Sequence, residues 1–263
     1  MVTLIKLGGS LITDKAGQKC FREETCLRLA QEIKSALAEK PQKIIIGHGS
    51  GSFGHQEAHQ FQTHLGVKTA EDWIGFTRVA YVAAELNQLV AGTFMGIDLP
   101  VFRMPLSNAA ISENKSIIDY PQIEILNRLL ETAIIPLVYG DVVMDKEIGG
   151  TIASTEMIFK TITDLNKEID KIILVGKVDG VLSDQVQLIP QISAQNFDTI
   201  RPMLKGSDST DVTGGMLSKV EDMLALVSGK PGMVIQIING EVEGRLQDSL
   251  LDKSIPATLI HND

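Results

Sequence analysis

The 263-residue chain is 44% hydrophobic and 22% charged, with a formal net charge of −9; it is long and apolar enough for one large α/β domain or two fused lobes. The acidic balance, without any Lys/Arg-rich run, argues against nucleic acid as a partner, and no apolar stretch approaches the roughly 18 residues that span a membrane. Cys20 and Cys26 offer neither a disulfide framework nor metal-site spacing, and the start at Met1 reads as a strand rather than a signal peptide, so a reducing, cytoplasmic location is expected.

In chain order, Val2 to Leu7 is a short strand that ends at Gly8, Gly9 and Ser10. Lys6, one residue before that turn, sits where open α/β sheets place ligands. Lys15 is a second cation near the same turn. Residues 23–39 carry a helical stripe of Leu27, Ala30, Ile33 and Leu37, stopped by Pro41. Ile44 to Ile46 is then a buried strand, followed by Gly47, Gly49, Gly51 and Gly54 with the small Ser50 and Ser52 between them. A strand, a glycine loop and a helix start, with the helix expected from about His55, are the parts that hold an anion on backbone N–H donors.

Residues 75–97 read as a helix with a broad apolar face that includes Phe76, Val79 and Tyr81. Most of that face is core, and a few of its residues are expected to line an apolar substrate pocket. Residues 100–105 are extended, and 122–132 form a short helix. A buried strand at 133–139 ends in Gly140 and Asp141, a hairpin turns around 145–150, and Ser154 caps a helix to Leu165. A strand at 171–175 precedes Asp179 and Gly180. Residues 187–192 are extended, 196–204 helical, 216–228 helical, and strands close the chain at 234–238 and 258–260. Strands alternate with helices throughout, which predicts a three-layer αβα sandwich on a mainly parallel sheet. It reads as one domain with approximate lobes at 1–165 and 166–263.

Three stretches couple glycine N–H donors to a cation: Lys6 to Ser10, Gly47 to His55, and Asp211 to Lys219 with Gly214 and Gly215. Several phosphates held among several lysines describe phosphoryl transfer, a reaction of positioning and charge stabilisation. Zinc ligation by His55, His59 and His64 is disfavoured, because the run is not H-E-x-x-H and no carboxylate pattern completes a site. A Ser/His/Asp hydrolase is disfavoured by the lack of a G-x-S-x-G elbow.

The stretches 5–10, 13–15, 48–55, 135–143, 178–180 and 211–216 with Lys219 resemble the amino acid kinase superfamily and, within it, the isopentenyl phosphate kinase family. The resemblance implies an αβα fold, a homodimer, and transfer of the γ-phosphoryl of ATP to an isoprenoid monophosphate with Mg²⁺. It implies that Lys6, Lys15 and Lys219 hold the β- and γ-phosphates and that Gly8, Gly9 and Ser10 line the transfer zone. Gly49, Ser50, Gly51, Ser52 and Gly54 would cradle the acceptor phosphate beside Gly140 and Asp141, with His55 hydrogen-bonding it. The first lobe would then hold the acceptor and the second the nucleotide, bordered by Asp179, Gly180, Asp211, Gly214 and Gly215. Four positions depart from the family pattern: Ser50 for glycine or alanine, Tyr139 for histidine, Glu156 for the aspartate that organises the lysines, and Lys177 for aspartate. A fosfomycin kinase-like enzyme of the same fold and a non-catalytic nucleotide-binding protein are the competing readings.

Overall fold

The computed structural model describes residues 1–14, 17, 19–204 and 215–262. Its elements, in order, are β1 (Val2–Leu7), α1 (Gly9–Ile12), β2 (Thr13–Asp14), β3 (Cys20–Phe21), α2 (Glu23–Glu39), β4 (Lys43–His48), α3 (Gly51–Phe61), α4 (Ala70–Met95) and β5 (Val101–Arg103). Then follow β6 (Ile111–Glu113), β7 (Ser116–Asp119), α5 (Ile123–Leu129), β8 (Ile135–Tyr139), β9 (Asp141–Asp145), β10 (Gly149–Ala153), α6 (Thr155–Leu165) and β11 (Ile169–Gly176). The chain closes with β12 (Gln191–Ile192), α7 (Phe197–Ile200), α8 (Gly215–Ser228), β13 (Val234–Asn239), α9 (Arg245–Leu250) and β14 (Thr258–Ile260).

Among the described residues, eight strands form one sheet in the order β12-β14-β13-β11-β1-β4-β8-β5. Its pairings are parallel except β13 with β14. The central strands are apolar on both faces, as a sheet covered on both sides requires. Neighbouring residues face opposite layers. Leu4, Ile45, Ile172 and Ile235 pack with Phe159 and Ile162 of α6 and Val220 and Val227 of α8. Ile5, Ile46, Ile173 and Ile238 pack on the other side with Leu29 and Ile33 of α2 and Leu86 and Phe94 of α4. The expected αβα sandwich is therefore the observed architecture.

Two helix starts differ from the sequence reading. α4 begins at Ala70, because Thr69 accepts from the Asp72 N–H while the Asp72 side chain accepts from the Thr69 N–H, a reciprocal cap. α3 begins at Gly51, four residues before His55, because the chain turns into the helix inside the glycine loop itself. The expected hairpin around 145–150 is β9-β10; β6 and β7, which extend it into a second sheet of order β10-β9-β6-β7, and the short α9 were not anticipated. Among the described residues, no helix is long and apolar enough to cross a membrane.

Candidate active site

β1 and β4 run side by side, with Lys6 opposite Gly47 and Leu7 opposite His48, so both glycine loops leave the same edge of the sheet. The loops touch main chain to main chain. A Cβ on Gly9 would lie 2.5 Å from the Gly51 nitrogen and 2.8 Å from its Cα. Gly51 has φ +49°, and a Cβ there would meet the Thr13 hydroxyl at 2.2 Å. That hydroxyl joins the loops: it donates to Gly9 O at 2.7 Å and accepts from Ser52 N–H at 2.9 Å. Gly8 N–H donates to Val175 O at 2.9 Å and Gly49 N–H to Leu7 O at 3.2 Å. The N–H groups of Gly9, Ser10, Ser50 and Gly51, which as first-turn groups have no intrahelical partner, find no acceptor among the described residues. Four neighbouring donors at one sheet edge are the kind of groups that anionic oxygens can accept from. Gly54 leaves room for Ser50, whose side chain a Cβ would meet at 2.5 Å.

Positive charge stands at the same edge. Lys6 Nζ donates to Glu156 Oε1, and the lysine side chain is only 17% exposed. Glu156 lies in the first turn of α6, which Ser154 opens by accepting from Met157 N–H at 3.1 Å. The helix sits directly on β4: a Cβ at Gly47 would lie 2.6 Å from Thr155 Cγ2 and 2.7 Å from Phe159. Withdrawal from water pushes the Glu156 carboxyl up, but Lys6, and Lys219 beyond it, together hold it below the usual carboxylate range. Asp222, one turn along α8 from Lys219, is pushed up by burial and by the negative charge of Glu156. Lys6, Lys219 and Glu156 therefore share one electrostatic neighbourhood, and Glu156, set apart in sequence only as a departure from pattern, is the partner of Lys6.

The remaining expected site residues are distributed as follows. His55 is exposed on α3, one turn inside the helix. Gly140 N–H donates to His48 O at 3.0 Å, and Asp141 is buried, accepting from Ser107 N–H at 3.1 Å and Val142 N–H at 2.8 Å. Burial pushes the Asp141 carboxyl up against those hydrogen bonds. Asp179 accepts from Arg245 Nη1. Gly180 packs against Thr258, which a Cβ would meet at 2.3 Å. Lys177 lies 3.9 Å from Glu241, which Arg22 holds through Nη1 and Nη2. Lys15, Asp211 and Gly214 lie outside the described residues; Gly215 opens α8.

Behind the glycine loop, Val67, Phe76, Val79 and Val142 make a separate apolar cluster, with Ala58 of α3, Trp73 and Ile152 packed against it. Tyr81 does not join it. It is 70% exposed, Lys19 stands over its ring, and it lines a cleft of about 420 Å³ with Glu57, Thr77, Arg78 and Val82.

The sequence model of the amino acid kinase family matches residues 1–239. The chain belongs to that family. It is 31% identical to the isopentenyl phosphate kinase of Methanocaldococcus jannaschii over 259 residues, covering 93% of this chain and 97% of the relative. It is 30% identical to that of Methanothermobacter thermautotrophicus over 269 residues, covering 98% of each. A crystal structure of an isopentenyl phosphate kinase superposes with a TM-score of 0.83 at 26% identity, covering 99% of this chain and 100% of that one.

Proposed function

We infer that this protein transfers the γ-phosphoryl group of ATP to isopentenyl phosphate, giving isopentenyl diphosphate and ADP. The observation that carries this reading is the row of four N–H groups, without an acceptor among the described residues, on two interlocked glycine loops beside the Lys6–Glu156 pair. Full-length similarity to isopentenyl phosphate kinases supplies the substrate class. An oxygen of the acceptor phosphate attacks the γ-phosphorus, and the bond to the β–γ bridging oxygen breaks. The acceptor is already an anion at neutral pH, so no general base is needed. In this reading the N–H groups of Ser50 and Gly51 hold the acceptor phosphate with His55, and those of Gly9 and Ser10 face the migrating group. Lys6, Lys219 and Lys15 neutralise its charge, which is most of what such a transition state asks of a protein. Asp179, Gly180 and residues 211–215 border the nucleotide. The sheet half β1-β4-β8-β5 then serves the acceptor and β11-β13-β14-β12 the nucleotide.

The apolar cluster at Phe76 and Val79 supports an apolar acceptor tail, because Ala58 packs on it from the same helix that carries His55. Mg²⁺ fits as a companion of ATP, held by phosphate oxygens and water. The N–H groups and lysines around the seat are donors suited to phosphate oxygens, not to the cation. When bound, the ion would neutralise phosphate charge. A homodimer is proposed on family analogy.

The test is a turnover assay with isopentenyl phosphate, dimethylallyl phosphate and fosfomycin as competing acceptors. Preference for isopentenyl phosphate is expected; fosfomycin as the favoured acceptor, or ATP binding without transfer to any of the three, would overturn the reading. His55→Ala should lower kcat/KM for isopentenyl phosphate about 10- to 150-fold, the loss of one charge-assisted hydrogen bond, while the KM for ATP stays put. A defect falling on ATP instead would assign the loop to the other substrate.

A further inference from the structure

The strongest feature that the function leaves unexplained is a line of polar groups in the core beneath the acceptor loop. His48, the last residue of β4, is fully buried, with its ring stacked on Tyr139 at 5.6 Å and 9°. Its Nδ1 lies 3.0 Å from Gly49 O and its Nε2 lies 3.0 Å from Asn87 Nδ2. Asn87 Oδ1 accepts from Arg103 Nε at 2.6 Å. A guanidinium can only donate, so the Asn87 oxygen must face Arg103 and its NH₂ must face His48. A carbonyl can only accept, so the His48 proton must sit on Nδ1. Both ends of the chain thus fix one tautomer, and the donors run in one direction from Arg103 through Asn87 and His48 to Gly49. The backbone is gripped as well: His48 O accepts from the Thr155 hydroxyl at 2.6 Å and from Gly140 N–H at 3.0 Å.

We propose that His48 is a positioning residue for the phosphoryl acceptor, holding the Gly49–Ser50 peptide in the orientation that presents the Ser50 N–H to the anion. In a planar trans peptide the C=O and N–H point in opposite directions. Tying Gly49 O to the buried ring therefore turns the Ser50 N–H away from the core. Glycine at 49 has no side chain to narrow its own φ and ψ, so the imidazole adds a restraint that a side chain would otherwise give. His48 acts through the loop and touches no substrate. Burial, with Arg103 adding to it, pushes its pKa down to about 4, so the ring stays neutral and the tautomer persists at working pH. The assignment rests on reading the Ser50 loop as the acceptor's seat.

Two measurements test it. Nitrogen-15 spectra of the wild-type protein labelled at histidine should show His48 as the Nδ1–H tautomer at pH 7. An Nε2–H tautomer would overturn the proposal, and this readout needs neither substrate nor variant. Kinetics of two replacements supply the second. The His48→Asn amide takes roughly the place of Nδ1 and can still donate to Gly49 O; the His48→Gln amide reaches toward Asn87 instead. His48→Gln should raise the KM for isopentenyl phosphate roughly tenfold, the effect of one neutral hydrogen bond, with the KM for ATP unchanged. His48→Asn should recover most of that loss. Equal effects of the two variants, or equal effects on both substrates, would reduce His48 to a packing residue. A wild-type enzyme that transfers nothing to isopentenyl phosphate would sink the substrate assignment, while the tautomer would still decide the role of His48.

Discussion

Replacing Gly51 with alanine places a methyl group where the two glycine loops meet. The new carbon would stand 2.2 Å from Thr13 Oγ1, 2.7 Å from Gly9 O and 2.8 Å from Thr13 Cγ2. Thr13 has to give way, and its hydroxyl makes the two bonds that join the loops. Losing both costs about 1 kcal/mol each, and an L-residue held at φ +49° adds about 1–2 kcal/mol. With some residual crowding the total is about 3–5 kcal/mol, a large share of the ~5–15 kcal/mol that holds a typical domain. Gly92 is the internal control, an exposed helix-interior glycine with nothing within 4 Å of its would-be Cβ. Gly92→Ala should stabilise by roughly 0.5–1 kcal/mol. Urea unfolding of both variants beside the parent measures the contrast. A Gly51→Ala protein within about 0.5 kcal/mol of the parent would mean that the loops are not locked together as described.

Lys6→Ala should lower kcat by about 10²- to 10³-fold in a protein whose circular dichroism and melting curve stay native; unaltered turnover would remove Lys6 from the transfer step. Stability should fall on acidification because the buried His48 ring has a pKa near 4, below the ~6.5 of an unfolded histidine. The unfolded chain binds the extra proton between those values, so stability present above pH 6.5 is lost as pH falls toward 4. The loss should be about 2 kcal/mol between pH 7 and 5, and urea titrations of His48→Asn at the two pH values should show that slope diminished. Val79→Ala should admit longer isoprenoid monophosphates, whereas Tyr81→Ala, outside the apolar cluster, should leave the accepted chain length unchanged. Product analysis over a series of chain lengths separates the two.

The parts of this architecture that repeat locally were legible in the sequence. The helix at Glu23–Glu39 was readable to the residue from its apolar stripe and the proline beyond it. The core strands announced themselves as isoleucine runs ending in glycine. Strands β6 and β7 were missed because each is three or four residues long and pairs through a tight turn at Asn114 and Lys115, both with positive φ. Helix α9 was missed because its N-terminus is held from far away: Glu32 accepts from Leu246 N–H and Gln247 N–H. The same distance left the partner of Lys6, 150 positions along the chain, visible only through the resemblance, as the position that organises the lysines. It also hid His48, whose tautomer is fixed through Asn87 and Arg103. A histidine beside a glycine loop looks like a ligand contact until its burial is known.

The main-chain contact between Gly9 and Gly51 has an evolutionary corollary. A binding wall made of peptide groups has no side chains to drift, so phosphate recognition on the proposed reading would be insulated from most mutations. It is brittle only at the few glycines where any added carbon collides. The tail, by contrast, would be read by Val67, Phe76, Val79 and Val142, ordinary side chains whose sizes can change one methyl group at a time. Inheritance can therefore tune what this scaffold accepts while the chemistry it performs stays fixed, because the two properties are written in different parts of the polypeptide.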